Sequence, residues 1–153
     1  MAERTGSPAP LTATHVVEYA YRRSVGPVLG AFFGALQDRR LLGARTLEGR
    51  VLCPPAECDP ETGEATGELV EVGPGGTVAS WTWVGEPQER HPLSRPFAFA
   101  LIKLDGADTE ILHLVDVGSE AAMSTGLRVV PRFRAEPEGG IRDLECFTPE
   151  TAP

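Results

Sequence analysis

Residues 97–117 read FAFALIKLDGADTEILHLVDV. Two runs rich in Phe, Ile, Leu and Val flank a short connection containing Asp-Gly, the pattern of a β-hairpin. Strands are expected at 97–104 and 110–117. Upstream, GTVASWTWV (76–84) alternates. Strict alternation places Val78, Ser80, Thr82 and Val84 on one face and Thr77, Ala79, Trp81 and Trp83 on the other. Downstream, LRVVPRFRAE (127–136) and GIRDLECF (140–147) read as two more strands around a PEGG turn, after a short helical turn in SEAAMSTG (119–126). Pro131 requires an edge or bulge position, because it has no N–H for a ladder. Five strands with one helical turn predict a small Greek-key barrel of the OB type.

The rest of the chain is built differently. The 153 residues suit one domain, and a hydrophobic content of 41% is enough for a core. The 17 glycines and 14 prolines show no collagen-like period and read as frequent turns. A net charge of −8 argues against generic nucleic-acid binding. No apolar run approaches the roughly 20 residues of a membrane span. The N-terminus has no basic start followed by an apolar stretch, and the three cysteines make an odd count. A reduced, cytoplasmic setting is expected. Residues 1–21 read as a leader, with HVVEYAY (15–21) as a short strand or extended arm, and 150–153 as a tail.

A helix is expected within 22–43. Val25, Val28, Leu29, Phe32, Phe33 and Leu36 fall at helical spacing, with Ser24 as N-cap, Pro27 in the first turn, Arg39 and Arg40 at the end, and Gly43 beyond it. Gly26, Gly30 and Gly34 recur every four residues along it. Each glycine costs a helix roughly 1 kcal/mol against alanine, so a stripe of three implies close backbone approach to something. Two readings stand: packing on the protein's own sheet, or contact with a partner that also meets Phe33, Arg39 and Arg40. Residues 44–73 are loop-rich, with a tight turn at LEGR, a string of turns in CPPAECDPETGE and a short strand at 68–72.

In this order the motifs FFGALQDRRLLGART, GRVLCPPAECDPETGE, VGPGGTVASWTWV, PFAFALIKLDGADTEILHLVDV, GLRVVPRFR and DLECFTP resemble a family of small acyl-CoA-associated proteins. Its members are built from an N-terminal helix, a rubredoxin-like zinc ribbon and a C-terminal OB-fold. The resemblance covers roughly residues 22–149. It implies a mainly β chain: helix, degenerate ribbon at 44–73 and five-stranded OB-fold at 74–149. Family ribbons hold zinc with two Cys-x2-Cys pairs. Here those positions fall at Arg45, Glu48, Cys58 and Glu61, so a ribbon without zinc is expected. Cys53 lies outside the ligand pattern. The resemblance also implies a function. Members partner thiolase-like enzymes acting on acyl-CoA, and this zinc-less variant looks like partners of sterol-carrier-type thiolases or aldolases in lipid or steroid side-chain degradation. A hetero-oligomer is implied, with a CoA ester as ligand of the complex and no cofactor of the chain's own.

The chain carries no phosphate loop, dinucleotide fingerprint or nucleophile elbow. VGPGGT (72–77) leads into a strand, so phosphate binding there lacks a helix N-terminus behind it. His113 shares a strand face with Ile111 and Val115, and reads as a packed residue or a base. Cys58 sits among acids that disfavour a thiolate. His91, in the 85–96 loop, is a candidate contact to a partner's active site. Residues 22–50 hold six arginines against two acids, whereas residues 51–153 hold 18 acids against seven bases. Arg45 and Arg50 are candidates for CoA phosphate contacts, where a planar guanidinium fork suits. The alternatives are docking to an acidic partner face or a solvated surface. Arg128, Arg132 and Arg134, with Trp81 and Trp83, make the pattern of a single-strand nucleic-acid face, but in acidic surroundings. The leading expectation is a non-catalytic accessory subunit of a thiolase-superfamily enzyme. The alternative is a stand-alone OB module for acyl-CoA or single-stranded nucleic acid.

Overall fold

The computed structural model describes residues 12–20 and 24–151. Residues 12–20 form neither helix nor strand and are exposed, so of the two readings of 15–21 the short strand is not seen over 15–20; Tyr21, Arg22 and Arg23 lie outside the described residues. The ordered elements are α1 (Gly26–Gln37), β1 (Leu41–Arg45), β2 (Val51–Leu52), β3 (Leu69–Val72), β4 (Gly76–Val84), β5 (Phe97–Leu104), β6 (Glu110–Val115), β7 (Arg128–Phe133) and β8 (Leu144–Pro149), with single 3₁₀ turns at Glu120–Ala122 and Ile141–Asp143. Among the described residues no helix is long and apolar enough to cross a membrane.

Strands β4 to β8 close into a barrel in the order β4-β5-β6-β8-β7, the five-stranded OB-type arrangement expected from the alternating runs. All pairings are antiparallel except β6 with β8, which meet in parallel at the single pair Val115↔Phe147. Pro131 sits beyond the short β4–β7 contact at Gly76 and Thr77, so its missing N–H breaks no ladder bond there. The last strand begins later than its sequence implies, because residues 141–143 wind into a 3₁₀ turn first.

Strict alternation fails in β4. Its register to β5 shifts between Val78 and Ser80, a β-bulge that advances the pleat by one residue. Val78 and the two tryptophans therefore all face the core, which alternation had put on opposite sides. Trp81 and Trp83 do share a face, but it packs on the interior and is no open stacking platform.

Residues 41–72 form a second sheet of order β2-β1-β3. The β1–β2 hairpin turns through Thr46–Arg50, with Gly49 in the left-handed region at φ 88°. Gly43 lies inside β1, not past a helix end. A Cβ on it would stand 2.6 Å from Val51 Cγ1 and 3.0 Å from the Leu52 carbonyl, so only glycine fits. Reciprocal hydrogen bonds join this sheet to the β5–β6 turn: Val51 N–H donates to Asp108 Oδ2 (2.7 Å) and its carbonyl accepts the Asp108 N–H (2.8 Å), while Cys53 N–H donates to Thr109 Oγ1 (2.8 Å) and its carbonyl accepts from that hydroxyl (3.0 Å). One apolar cluster runs from Phe32 and Leu36 of α1 through Leu41, Val51 and Val72 to Ile102, Val129 and Phe147 of the barrel.

The helix is shorter than its sequence predicts. Asp38 and Arg39 turn back onto the carbonyls of Ala35 and Leu36, Arg39 takes φ 58°, and β1 begins at Leu41. Arg39 and Arg40 thus follow the helix instead of closing it. Val25, not Ser24, is the N-cap, although Ser24 Oγ accepts the Gly26 N–H at 3.3 Å. Glu57 of the β2–β3 connection completes the cap: its carboxylate accepts the Val28 N–H at 3.2 Å, where the helix dipole favours an anion.

Candidate functional site

Two surfaces stand out. The first is the outer face of α1. Phe32, Ala35 and Leu36 are buried against the protein, while Gly30, Ala31 and Gly34 are exposed. Gly26 is accounted for inside the chain, since a Cβ there would meet Glu57 Oε1 at 2.5 Å. Gly30 and Gly34 are not: nothing stands within 4 Å of where their Cβ atoms would be. Packing on the protein's own sheet therefore does not explain them. Phe33 is half-buried with its ring 5.9 Å from that of Phe32, and so belongs partly to the core. Arg40 faces Glu71 at 3.5 Å.

The ribbon positions are held by charge. Arg50 reaches from the first turn to Asp59 (2.9 Å) and Glu61 (2.6 Å) in the second, and Asp59 is itself buried. The Glu61 backbone N–H and the Arg50 guanidinium outweigh the opposing effect of burial and hold the Asp59 carboxyl below the usual aspartate range. Arg45 donates to the Gly49 carbonyl at 3.3 Å. Of the four knuckle positions only Cys58 offers a thiol, and Glu61 is engaged by Arg50. This donor set does not fit a structural zinc. Cys53 is buried in the core, and burial pushes its thiol up to about 12.

The second surface is a cleft of about 760 Å³ on the barrel. One wall is the 85–96 loop with Arg90, His91 and Leu93; the other is the β7–β8 connection with Arg134, Ile141 and Arg142; the floor is Phe99, Leu112, His113 and Leu114. On the outer barrel face Phe99 opposes Leu114, and Leu101 opposes Leu112. Leu112 is 63% exposed and Ile141 43%. The walls are anchored. Buried Asp143 accepts from the N–H groups of Glu138 (2.7 Å), Gly139 (2.8 Å) and Gly140 (3.2 Å), which fixes one wall and lowers its own carboxyl pKa. Asp116 pairs with Arg95 and with Arg132 (3.3 Å), which ties the root of the other wall to the sheet. His91 accepts the Gln88 N–H at Nδ1 (2.9 Å) and sets its ring edge against Phe97 and Phe99.

His113 faces the splayed seam between β6 and β8, its ring 5.7 Å from that of Phe147. Its Nδ1 is buried without a partner, and burial pushes the imidazole down to about 4. It is a packed neutral histidine with no carboxylate to orient it.

Of the residues expected to touch a ligand, the cleft contains His91 but not Arg45, Arg50, Trp81 or Trp83. The strand arginines are committed: Arg128 to Asp105 and Glu150, Arg132 to Glu145 and Asp116, and Arg134 to Glu138. That removes the positive stripe a nucleic-acid face needs. Arg90, Arg142 and Leu112 escaped the sequence reading. The one signal for them was the apolar outer face shared by Phe99, Leu101, Leu112 and Leu114.

Comparison with known proteins follows this geometry. Residues 69–134 match the family model described as "ChsH2, C-terminal OB-fold domain". No curated protein matches the chain in sequence. Among solved structures, a chain of the Ltp2-ChsH2(DUF35) aldolase superposes with a TM-score of 0.62 at 22% identity, covering 84% of this chain and 98% of that one. A DUF35-family protein of unknown function from Sulfolobus solfataricus superposes with a TM-score of 0.56 at 21% identity, covering 70% and 77%. The OB-type fold is thus shared with these structures, and residues 69–134 are similar to the ChsH2 OB-fold domain, in agreement with the resemblance drawn from the sequence motifs.

Proposed function

We propose that this chain is a non-catalytic accessory subunit of a thiolase-superfamily enzyme, a thiolase or thiolase-like aldolase acting on acyl-CoA. The open glycine face of α1 carries the reading. Gly30 and Gly34 weaken the helix and have no partner within the described chain, which is the expected state of a surface built for close approach of another backbone. The likeness to a chain of an aldolase named for two proteins supports a heteromeric assembly. In this reading Phe33, Arg39 and Arg40 flank the helix contact. The barrel and the 85–96 loop with His91 lie beside the enzyme's acyl-CoA site and help close it, with Arg45 as the free ribbon guanidinium nearest to that role. Lipid or steroid side-chain degradation, in a reduced cytoplasm, is the metabolic setting that the resemblance supports.

The chain's own chemistry points the same way. Cys53 and Cys146 are buried thiols with raised pKa values, and His113 is a neutral imidazole with no orienting acid. Neither pattern is that of an activated nucleophile with its base.

The test is a pair of helix variants. Gly30→Ala should stabilise the isolated chain by about 1 kcal/mol, because the site is open and alanine is the better helix former. Gly30→Trp should leave the isolated fold intact and abolish co-elution with the enzyme. A tryptophan variant that still co-elutes would remove the helix face as the interface.

A further inference from the structure

The cleft over β6 has features that the helix-borne interface does not use. Its floor is apolar and open, with Leu112 and Ile141 both substantially exposed. Its lining includes two carboxylates, Glu138 and Glu145, each already paired with an arginine (Arg134 and Arg132), and its walls also carry Arg90 and Arg142, neither of which forms an ion pair among the described residues. Its seam is unfinished: Asp116 N–H donates to Phe147, and Val115↔Phe147 is the sole registered pair between β6 and β8. Backbone groups alternate along a strand, so Leu112, four residues before Asp116, turns its N–H and C=O to the same flank. There the parallel ladder has already ended.

A strand whose registered pairing to β8 stops at Val115, apolar side chains beside it and two guanidinium groups without an ion pair among the described residues, one on each wall, define one kind of occupant. We propose that the cleft receives an extended segment of a partner protein in which acidic and apolar residues alternate. The segment's main chain adds to the free flank of β6, its apolar side chains lie on Leu112, Phe99 and Ile141, and its carboxylates meet Arg90 and Arg142. This is strand addition, in which main-chain bonds give affinity and alternate side chains give selectivity. Charge complementarity commits the site to an acidic segment rather than a neutral or basic one. The proposal shares the 85–96 loop with the thiolase reading but does not rest on it, because it does not use the helix contact and is tested without an enzyme.

The experiment titrates the full chain with a fluorescein-labelled octapeptide of alternating glutamate and leucine. A peptide with lysine for glutamate serves as control. Saturable binding of the acidic peptide is expected, with chemical-shift changes at the Leu112 amide and the His113 ring. Both arginines are exposed and form no ion pair among the described residues, so the double variant Arg90→Glu/Arg142→Glu should fold normally and bind at least about tenfold more weakly. Gly30→Trp should bind as the parent does, which separates failure of this proposal from failure of the helix interface. Absence of binding at millimolar peptide overturns the proposal. So does equal binding of the lysine peptide, or binding unmoved by the double reversal. Displacement of the peptide by equimolar dodecanoate would instead make the cleft a site for small amphipathic anions, and would overturn it too. Self-association of the chain that blocks the peptide would assign the surface to a second copy, with the same consequence.

Discussion

At the residue scale, burial and pairing separate side chains that look alike in the sequence. The three cysteines are the simplest case. Cys53 and Cys146 are buried, and their thiols rise to about 12 and about 11, whereas Cys58 is exposed in the ribbon turn. A thiol reagent at pH 8 should label one cysteine rapidly in the native chain, identified as Cys58 by peptide mapping, and all three in denaturant. Rapid native labelling of Cys53 would contradict the packing described. Asp143 shows the same logic for an acid. Three backbone N–H groups hold its carboxyl below the ordinary aspartate pKa of about 3.9. A group depressed on folding stabilises above its unfolded pKa and loses that contribution as pH falls through the folded one. Asp143→Asn should therefore melt lower than the parent at pH 7, and the gap should close as pH drops below about 4. A gap that stays constant across this range would assign the loss to something other than the charge. Neither residue could be ranked from sequence, since burial separates the three cysteines and Asp143 gains its three donors only when the local turn closes around it.

At the element scale, the strands were legible because alternation is a local property. The hairpin over 97–117, the turn at LEGR and the strand expected at 68–72 all appear, with β3 starting at Leu69 and β6 ending at Val115. The errors fall where a tertiary contact overrides the pattern. The β4 bulge brings Val78 and Trp81 to one side so that the barrel can bend, which alternation cannot encode. The helix stops at Gln37 because the chain must turn at Asp38 and Arg39 to start β1. The ribbon turns are linked by Arg50, Asp59 and Glu61 at positions near those where the family places metal ligands. α1 itself is held by its inner face. Phe32 is 1% exposed within the shared core. Phe32→Ala should cost about 3–5 kcal/mol in denaturant unfolding. A loss under about 1 kcal/mol would mean that the helix is dispensable to the fold.

At the scale of the whole molecule, helix, ribbon sheet and barrel share one core, so the two open surfaces sit on a common frame. The charge division read from the sequence needs revision here. The strand arginines are neutralised by nearby acids, and Arg50 serves the ribbon, which leaves Arg45, Arg90 and Arg142 as guanidinium groups without an ion-pair partner in the barrel or ribbon among the described residues. The fold was legible from motif order, whereas the cleft was not, because it is assembled from the 85–96 loop, one strand flank and a 3₁₀ turn that are distant in sequence. The central claim is that the chain works as the accessory subunit of a thiolase-superfamily enzyme. The most direct test is size-exclusion chromatography of the chain co-expressed with a thiolase-like enzyme of the same genome. The account predicts a single co-eluting complex and an enzyme that loses acyl-CoA turnover when expressed alone. Separate elution, with the enzyme fully active by itself, would contradict it.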